Sequence, residues 1–107
     1  MGISNDFLIA CVIRLFNKHE SMIWFNKLYD VLGATISSRN TLSHNIDKLF
    51  DLGIITGDWT KSENGNWIRS FKTSSEAERL IDRIIETYDV IVNFDTQPES
   101  VQFQRDA

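Results

Sequence analysis

An Asn64-Gly65 pair between two strand-like segments, directly downstream of a helix that stops at Gly53, constrains this chain more than any other feature. Residues 54–60 are rich in β-branched side chains and carry Trp59. Residues 67–73 alternate Trp67, Arg69 and Phe71 against Ile68, Ser70 and Lys72. Two such runs around an Asn-Gly pair read as a β-hairpin. Upstream, Leu42, Ile46, Leu49 and Phe50 recur at helical spacing. That periodicity predicts a helix over 38–52, capped by Ser37 or Ser38, with Ile36 anchoring the turn before it. Helix, strand, polar loop, strand is the order that the rest of the chain has to accommodate.

The flanks read as helices. Ser4, Asn5 or Asp6 can cap a helix over 5–17. Leu8, Cys11, Val12 and Leu15 form one apolar face, and Ile9, Ile13 and Phe16 make the other side apolar too. A helix apolar nearly all round is buried on more than one side. The second side faces either another subunit or the C-terminal helix of the same chain. Residues 21–23 read as a short strand. Trp24, Phe25, Leu28, Tyr29 and Leu32 give a second helical face, and Gly33 suits a left-handed C-terminal position. Thr73 and Glu76 fit a capping box for a last helix over 74–92, carried by Ala77, Leu80, Ile81, Ile84, Ile85 and Tyr88. Residues 95–107, which hold the lone Pro98, are expected to form an irregular or disordered tail. The fold class is therefore α+β, mainly α, with one domain over 1–94.

Composition removes several function classes. The chain has 107 residues, 42% hydrophobic and 24% charged, which is ordinary for one water-exposed globular domain. Its longest apolar run is far shorter than the roughly 20 residues a membrane span needs, and a cytoplasmic location is expected. One cysteine and two separated histidines offer no metal-ligand cluster. No Gly-rich phosphate loop or GxSxG elbow occurs, so neither an enzyme nor a cofactor is expected. The net charge of −4 is unevenly placed. Residues 35–72 carry five basic and four acidic side chains, whereas residues 73–107 carry three basic and eight acidic. The acidity thus belongs to the C-terminal third, and the central module is slightly positive.

On the outer face of the 38–52 helix, Arg39 can pair bidentately with guanine and Asn40 with adenine. Ser38, Thr41, Ser43, His44 and Lys48 can bond base edges or phosphates. Lys61, Asn64 and Arg69 place basic and polar groups on the hairpin, where a loop can follow a DNA backbone or enter the minor groove. The competing reading is that a helix needs a polar outer face whatever it does, and Asp47 and Asp51 would repel phosphate. Trp24 and Trp59 read as packing residues; Trp67, beside the loop, is open between packing and stacking on a partner.

The stretch TLSHNIDKLFDLGIITGDW followed by ENGNWIRSFKTSSEAERLID resembles winged helix-turn-helix transcriptional regulators, the PadR-like group first and the broader MarR-like regulators next. The resemblance covers about residues 36–85. It rests on Thr41-Leu42 in the helix, Leu49 as its anchor and Gly53-Ile54-Ile55 as the exit. Trp59, Asn64-Gly65 at the tip and Phe71 on the returning strand complete it. It implies a recognition helix over 38–52 for the major groove, a wing over 60–67, and double-stranded DNA as partner. It also implies a homodimer joined through the terminal helices, here by Ile9, Ile13, Phe16, Ile84 and Tyr88. A small-molecule effector would need a cavity near Phe16, Trp24 and Tyr88. A winged helix used for protein–protein contact is the alternative.

Overall fold

The computed structural model describes residues 2–33, 35–36, 38–94 and 100–103. Helix α1 (Asn5–Lys18) runs through the centre, followed by α2 (Phe25–Leu32) and α3 (Arg39–Asp51). Strands β1 (Ile55–Lys61) and β2 (Trp67–Thr73) form an antiparallel hairpin in register from Ile55↔Thr73 to Lys61↔Trp67. Helix α4 (Glu78–Tyr88) leads into β3 (Val90–Asn93), which pairs antiparallel with β4 (Ser100–Phe103). This is the mainly helical α+β winged helix-turn-helix expected from residues 36–73.

The core forms around α1. Leu8, Ile9, Ala10, Cys11, Val12, Ile13 and Phe16 are all buried within the single chain. Helices α3 and α4 and strands β2 and β3 pack around it. Each large apolar side chain so buried contributes about 1.5–3 kcal/mol. The dimer expected through Ile9, Ile13 and Phe16 is therefore corrected: all three are 0% exposed without a second subunit. Phe16 meets the Phe94 ring edge-on at 4.8 Å, with Lys27 over its face at 5.2 Å. Trp24, also expected beside an effector cavity, lines an open cleft with Met22, Lys27 and Asn64. Burial pushes the Cys11 thiol up to about 12, with the charge of Asp82 adding to the effect, so the thiolate nucleophile is suppressed at neutral pH.

Helix α1 ends with Ser21 N–H donating to the Phe16 carbonyl and Glu20 N–H to Asn17. Helix α3 ends the same way, with Ile54 N–H on Leu49 and Gly53 N–H on Phe50. Both are paired-bond C-terminal caps that need a left-handed residue. Gly53 supplies it at φ +72°, whereas Glu20 adopts φ +58° despite its side chain. Gly33, expected to be left-handed, is right-handed at φ −55°. There the chain continues turning, with Thr35 and Ile36 N–H both donating to the Leu32 carbonyl.

Two further expectations change. The segment at 21–23 is not a strand; the Phe71 N–H donates to its Ile23 carbonyl at 2.8 Å and ties it to the hairpin. The helix expected over 74–92 spans only Glu78–Tyr88. Thr73 does not cap it, because Thr73 is the last residue of β2 and is buried, its hydroxyl without a partner among the described residues. At the other end Asp89 turns left-handed at φ +52°, and the β-branched Val90-Ile91-Val92 run continues as β3. Of the tail expected to be irregular over 95–107, residues 100–103 form β4, and the remainder lies outside the described residues.

Polar side chains complete the joints. The Asn17 carboxamide Nδ2 donates to the Phe71 carbonyl at 3.2 Å, and its Oδ1 accepts from Thr73 N–H at 2.9 Å. It thereby acts as a one-residue strand partner for β2. Arg14 forks onto Asp82 at 2.9 and 3.1 Å and reaches Glu78 at 3.3 Å, tying α1 to α4.

Asn17→Ala leaves two partly buried backbone groups without partners and should lower unfolding free energy by about 2–3 kcal/mol in urea titration. An unchanged denaturation midpoint would show that water replaces the carboxamide. Hydrogen bonding from Arg14 holds the Asp82 carboxyl below the usual range, against burial and with the charges of Arg14 and Lys18 adding. Its contribution is fully present above the unfolded-state pKa and is lost as pH falls through the lowered folded value. Asp82→Asn should thus cost about 1 kcal/mol near neutral pH, solvent screening limiting the effect. Thermal melts of the two proteins should converge in acid.

Candidate nucleic-acid interface

Helix α3 begins at Ser38, whose Oγ accepts from Thr41 N–H at 3.3 Å, and its inner stripe of Leu42, Ile46 and Leu49 is buried. That stripe turns the opposite side outward. Asn40, Thr41, Ser43, His44, Asp47, Lys48 and Asp51 are exposed. Among the described residues, no hydrogen bond or ion pair occupies the side chains of Asn40, Thr41, Ser43 or His44. This polar row is what a groove-reading helix requires.

The cations near it are less free. Arg39 Nη1 donates to Asn26 Oδ1 at 2.8 Å, and its guanidinium lies 4.5 Å from the Tyr29 ring centre and 5.8 Å from that of Phe25. Arg39 therefore fastens α2 to α3, in addition to whatever it contacts outside. Lys48 pairs with Asp6 of α1 at 2.9 Å. Sequence spacing placed both residues correctly on the outer face. It could not reveal their partners, which come from other helices.

The wing loop is a tight turn. Ser62 N–H donates to the Asn66 carbonyl at 2.7 Å, and Gly65 N–H to the Ser62 carbonyl at 2.9 Å. The Ser62 hydroxyl also donates to Asn64 Oδ1. Gly65 takes φ +87°, a conformation that a side chain would strain. Residues directly opposite in an antiparallel pair share a face, and alternate residues along a strand return to it. The register Trp59↔Arg69 and Lys61↔Trp67 thus places all four on one face. Trp59 is 68% exposed and Trp67 64%. Packing was the expectation for Trp59, so its exposure is a correction: the hairpin projects beyond the core, and the described residues leave most of both indoles exposed.

Arg69 does not stand free at the tip. Its guanidinium crosses Gly57 and lies 4.3 Å from the Phe50 ring centre, at the root of the wing. A Cβ at Gly57 would come within 2.6 Å of Arg69 Nε, so the absent side chain there lets the arginine reach Phe50. Lys61 Nζ sits 5.8 Å from the Trp67 ring centre. Lys72 pairs with Asp58 at 3.2 Å on the other face. Between α3, the start of α2 and the wing lies an open cleft of about 350 Å³, lined by Ser43, Asp47 and Phe50 of α3, Trp24 beside α2, and Trp59, Trp67 and Arg69 of the wing. Of the helix and wing candidates, the cleft brings together Ser43 and Arg69; the others lie outside its lining.

No group of three or more His, Cys, Asp or Glu side chains able to hold a metal occurs among the described residues. No helix among them is long and apolar enough to cross a membrane.

No protein-family model and no curated protein matches the chain. Among solved structures, the chain is similar to the circadian clock associated protein Pex from Anabaena. The TM-score is 0.59 at 20% identity, over 78% of this chain and 76% of that one. At that identity the likeness is one of fold, and it agrees with the winged helix-turn-helix arrangement described above.

Proposed function

We propose that this chain binds double-stranded DNA as a homodimeric winged-helix transcriptional regulator. Residues 38–52 enter the major groove, and the wing over 60–67 meets the adjacent backbone or minor groove. The observation that carries this reading is the unoccupied polar row of Asn40, Thr41, Ser43 and His44, of which Ser43 lines one open cleft with Arg69 of the wing. The PadR-like resemblance of residues 36–85 and the fold-level likeness to Pex support it. Ser38 and the α3 N-terminus serve a phosphate, Asn40 reads a base edge, and Asn64 lies along the backbone. Arg39 and Lys48 reach DNA on releasing Asn26 and Asp6.

The dimer is assigned to the half-covered stripe of α4. Leu80 is 52% exposed, and Ile84 and Tyr88 follow it at successive turns, each partly buried against the core. An apolar helical stripe left in water is a surface that a second copy can cover. Leu80→Glu should convert a dimer to a monomer in sedimentation. A monomeric unmodified chain would overturn this assignment.

Two specific observations favour a second reading, a winged helix that contacts protein. The exposed tryptophans offer large apolar surfaces, and few cations on the interface lack internal partners. Salt dependence separates the two. Counterion release makes DNA affinity fall steeply with salt, whereas an apolar protein contact is far less sensitive. Lys61→Ala should weaken binding to all sequences and reduce the salt slope by about one. Arg39→Ala should cost about 1–3 kcal/mol of binding to a selected site if it pairs with guanine. A salt slope near zero for the unmodified protein would reject the DNA reading.

A further inference from the structure

Trp59 and Trp67 are the two most exposed large apolar side chains among the described residues. They share one hairpin face with Lys61 and Arg69, and that face forms a wall of the cleft opposite α3. Neither belongs to the buried core: Trp59 and Trp67 project beyond it. The polar face of α3 does not account for them either.

The position of the cleft identifies what fits it. When a helix lies in the major groove and a hairpin meets the neighbouring minor groove, the sugar–phosphate strand dividing the two grooves passes between helix and hairpin. A deoxyribose presents an apolar face that an indole can cover, while its phosphates need cations. The wing wall offers both, with the indoles interleaved between Lys61 and Arg69. The opposite wall carries Asp47, which repels phosphate and biases the strand toward the wing. Phe50 and Gly57 hold the Arg69 guanidinium at the root of the cleft, 4.3 Å from the Phe50 ring centre. It is therefore oriented before any strand arrives.

We propose that the Trp59–Trp67 face of the wing seats one DNA strand, the two indoles packing on its sugars while Lys61 and Arg69 contact its phosphates. This rests on the DNA-binding reading above and adds to it. The wing engages DNA mainly through an aromatic wall, and less through its basic tip. Such contacts are largely blind to sequence, because every nucleotide presents the same sugar.

The test uses the full chain and a pool of random-sequence duplexes at low salt. Trp59→Ala and Trp67→Ala should each weaken binding about tenfold, a loss at the low end of that for an aromatic stacked on a base. The salt slope should be unchanged, since no charge is removed. Arg69→Ala should lower that slope by about one. Trp67→Phe should retain most of the affinity. Trp24 lines the same cleft, so a Trp24→Phe background is used only after its duplex affinity is found to equal that of the unmodified chain; there duplex should quench or shift the emission of the two remaining tryptophans. Thermal melts serve to establish that the variants fold, and exposure of both side chains makes their loss tolerable. If both alanine variants bind as the unmodified protein does, or emission stays constant at saturation, the aromatic wall is overturned while DNA binding stands. If the unmodified chain fails to bind duplex at all, the DNA reading falls first and this inference with it.

Discussion

The Asn17 carboxamide joins the two halves of this molecule. It sits at the end of the central helix α1 and bonds both the carbonyl of Phe71 and the amide of Thr73. An amide side chain can do this because it carries a donor and an acceptor at the spacing of a peptide edge. Together with the Ile23 carbonyl, which accepts from Phe71 N–H, it fixes where β2 returns to the helical body. The wing's direction relative to α3 follows from that attachment, and so does the cleft between them. The apolar core holds α1 in place, but apolar packing has no direction of its own. The hydrogen bonds convert a packed helix into an oriented hairpin.

The electrostatics are those of a protein that uses many of its charges on itself. Arg39 fastens α2 to α3, Lys48 reaches Asp6, Arg14 forks onto Asp82, and Lys72 pairs across the hairpin with Asp58. The ion pairs among these contribute little each, yet each one lowers the field available to attract a polyanion, whereas Arg39, bonded to a neutral amide, keeps its full charge. A polar helix face and an aromatic wing then carry relatively more of any contact with a nucleic acid. Such an interface trades long-range steering for short-range fit.

Much of this arrangement was legible from residue order. Leu42, Ile46 and Leu49 at helical spacing, Gly53 at the helix end, and two alternating runs around Asn64-Gly65 each have one local solution. The outer row of α3 followed from the same periodicity. Where the reading failed, a competing local signal was outweighed by distant partners. Thr73 with Glu76 looked like a capping box, but Thr73 was already held in β2 by Ile55 and Asn17. Val90 to Val92 continued a helical pattern on paper, but β-branched residues gained a strand partner in residues 100–103. Glu20 took the left-handed cap that a glycine would advertise, and Gly33 declined it.

The sequence by itself determined the order of elements, the identity of the inner and outer faces of α3, and the winged helix-turn-helix class. Those depend on period, turn chemistry and chain neighbours. Tertiary structure decided which side of α1 is core, since an all-round apolar helix does not say what covers it. It decided that Arg39 and Lys48 have internal partners, because those partners lie on α2 and α1. It also decided that Trp59 and Trp67 stand in water beside Arg69. A tryptophan in a strand has the same local signal whether its face meets a core or points past one, and only the reach of the hairpin distinguishes the two.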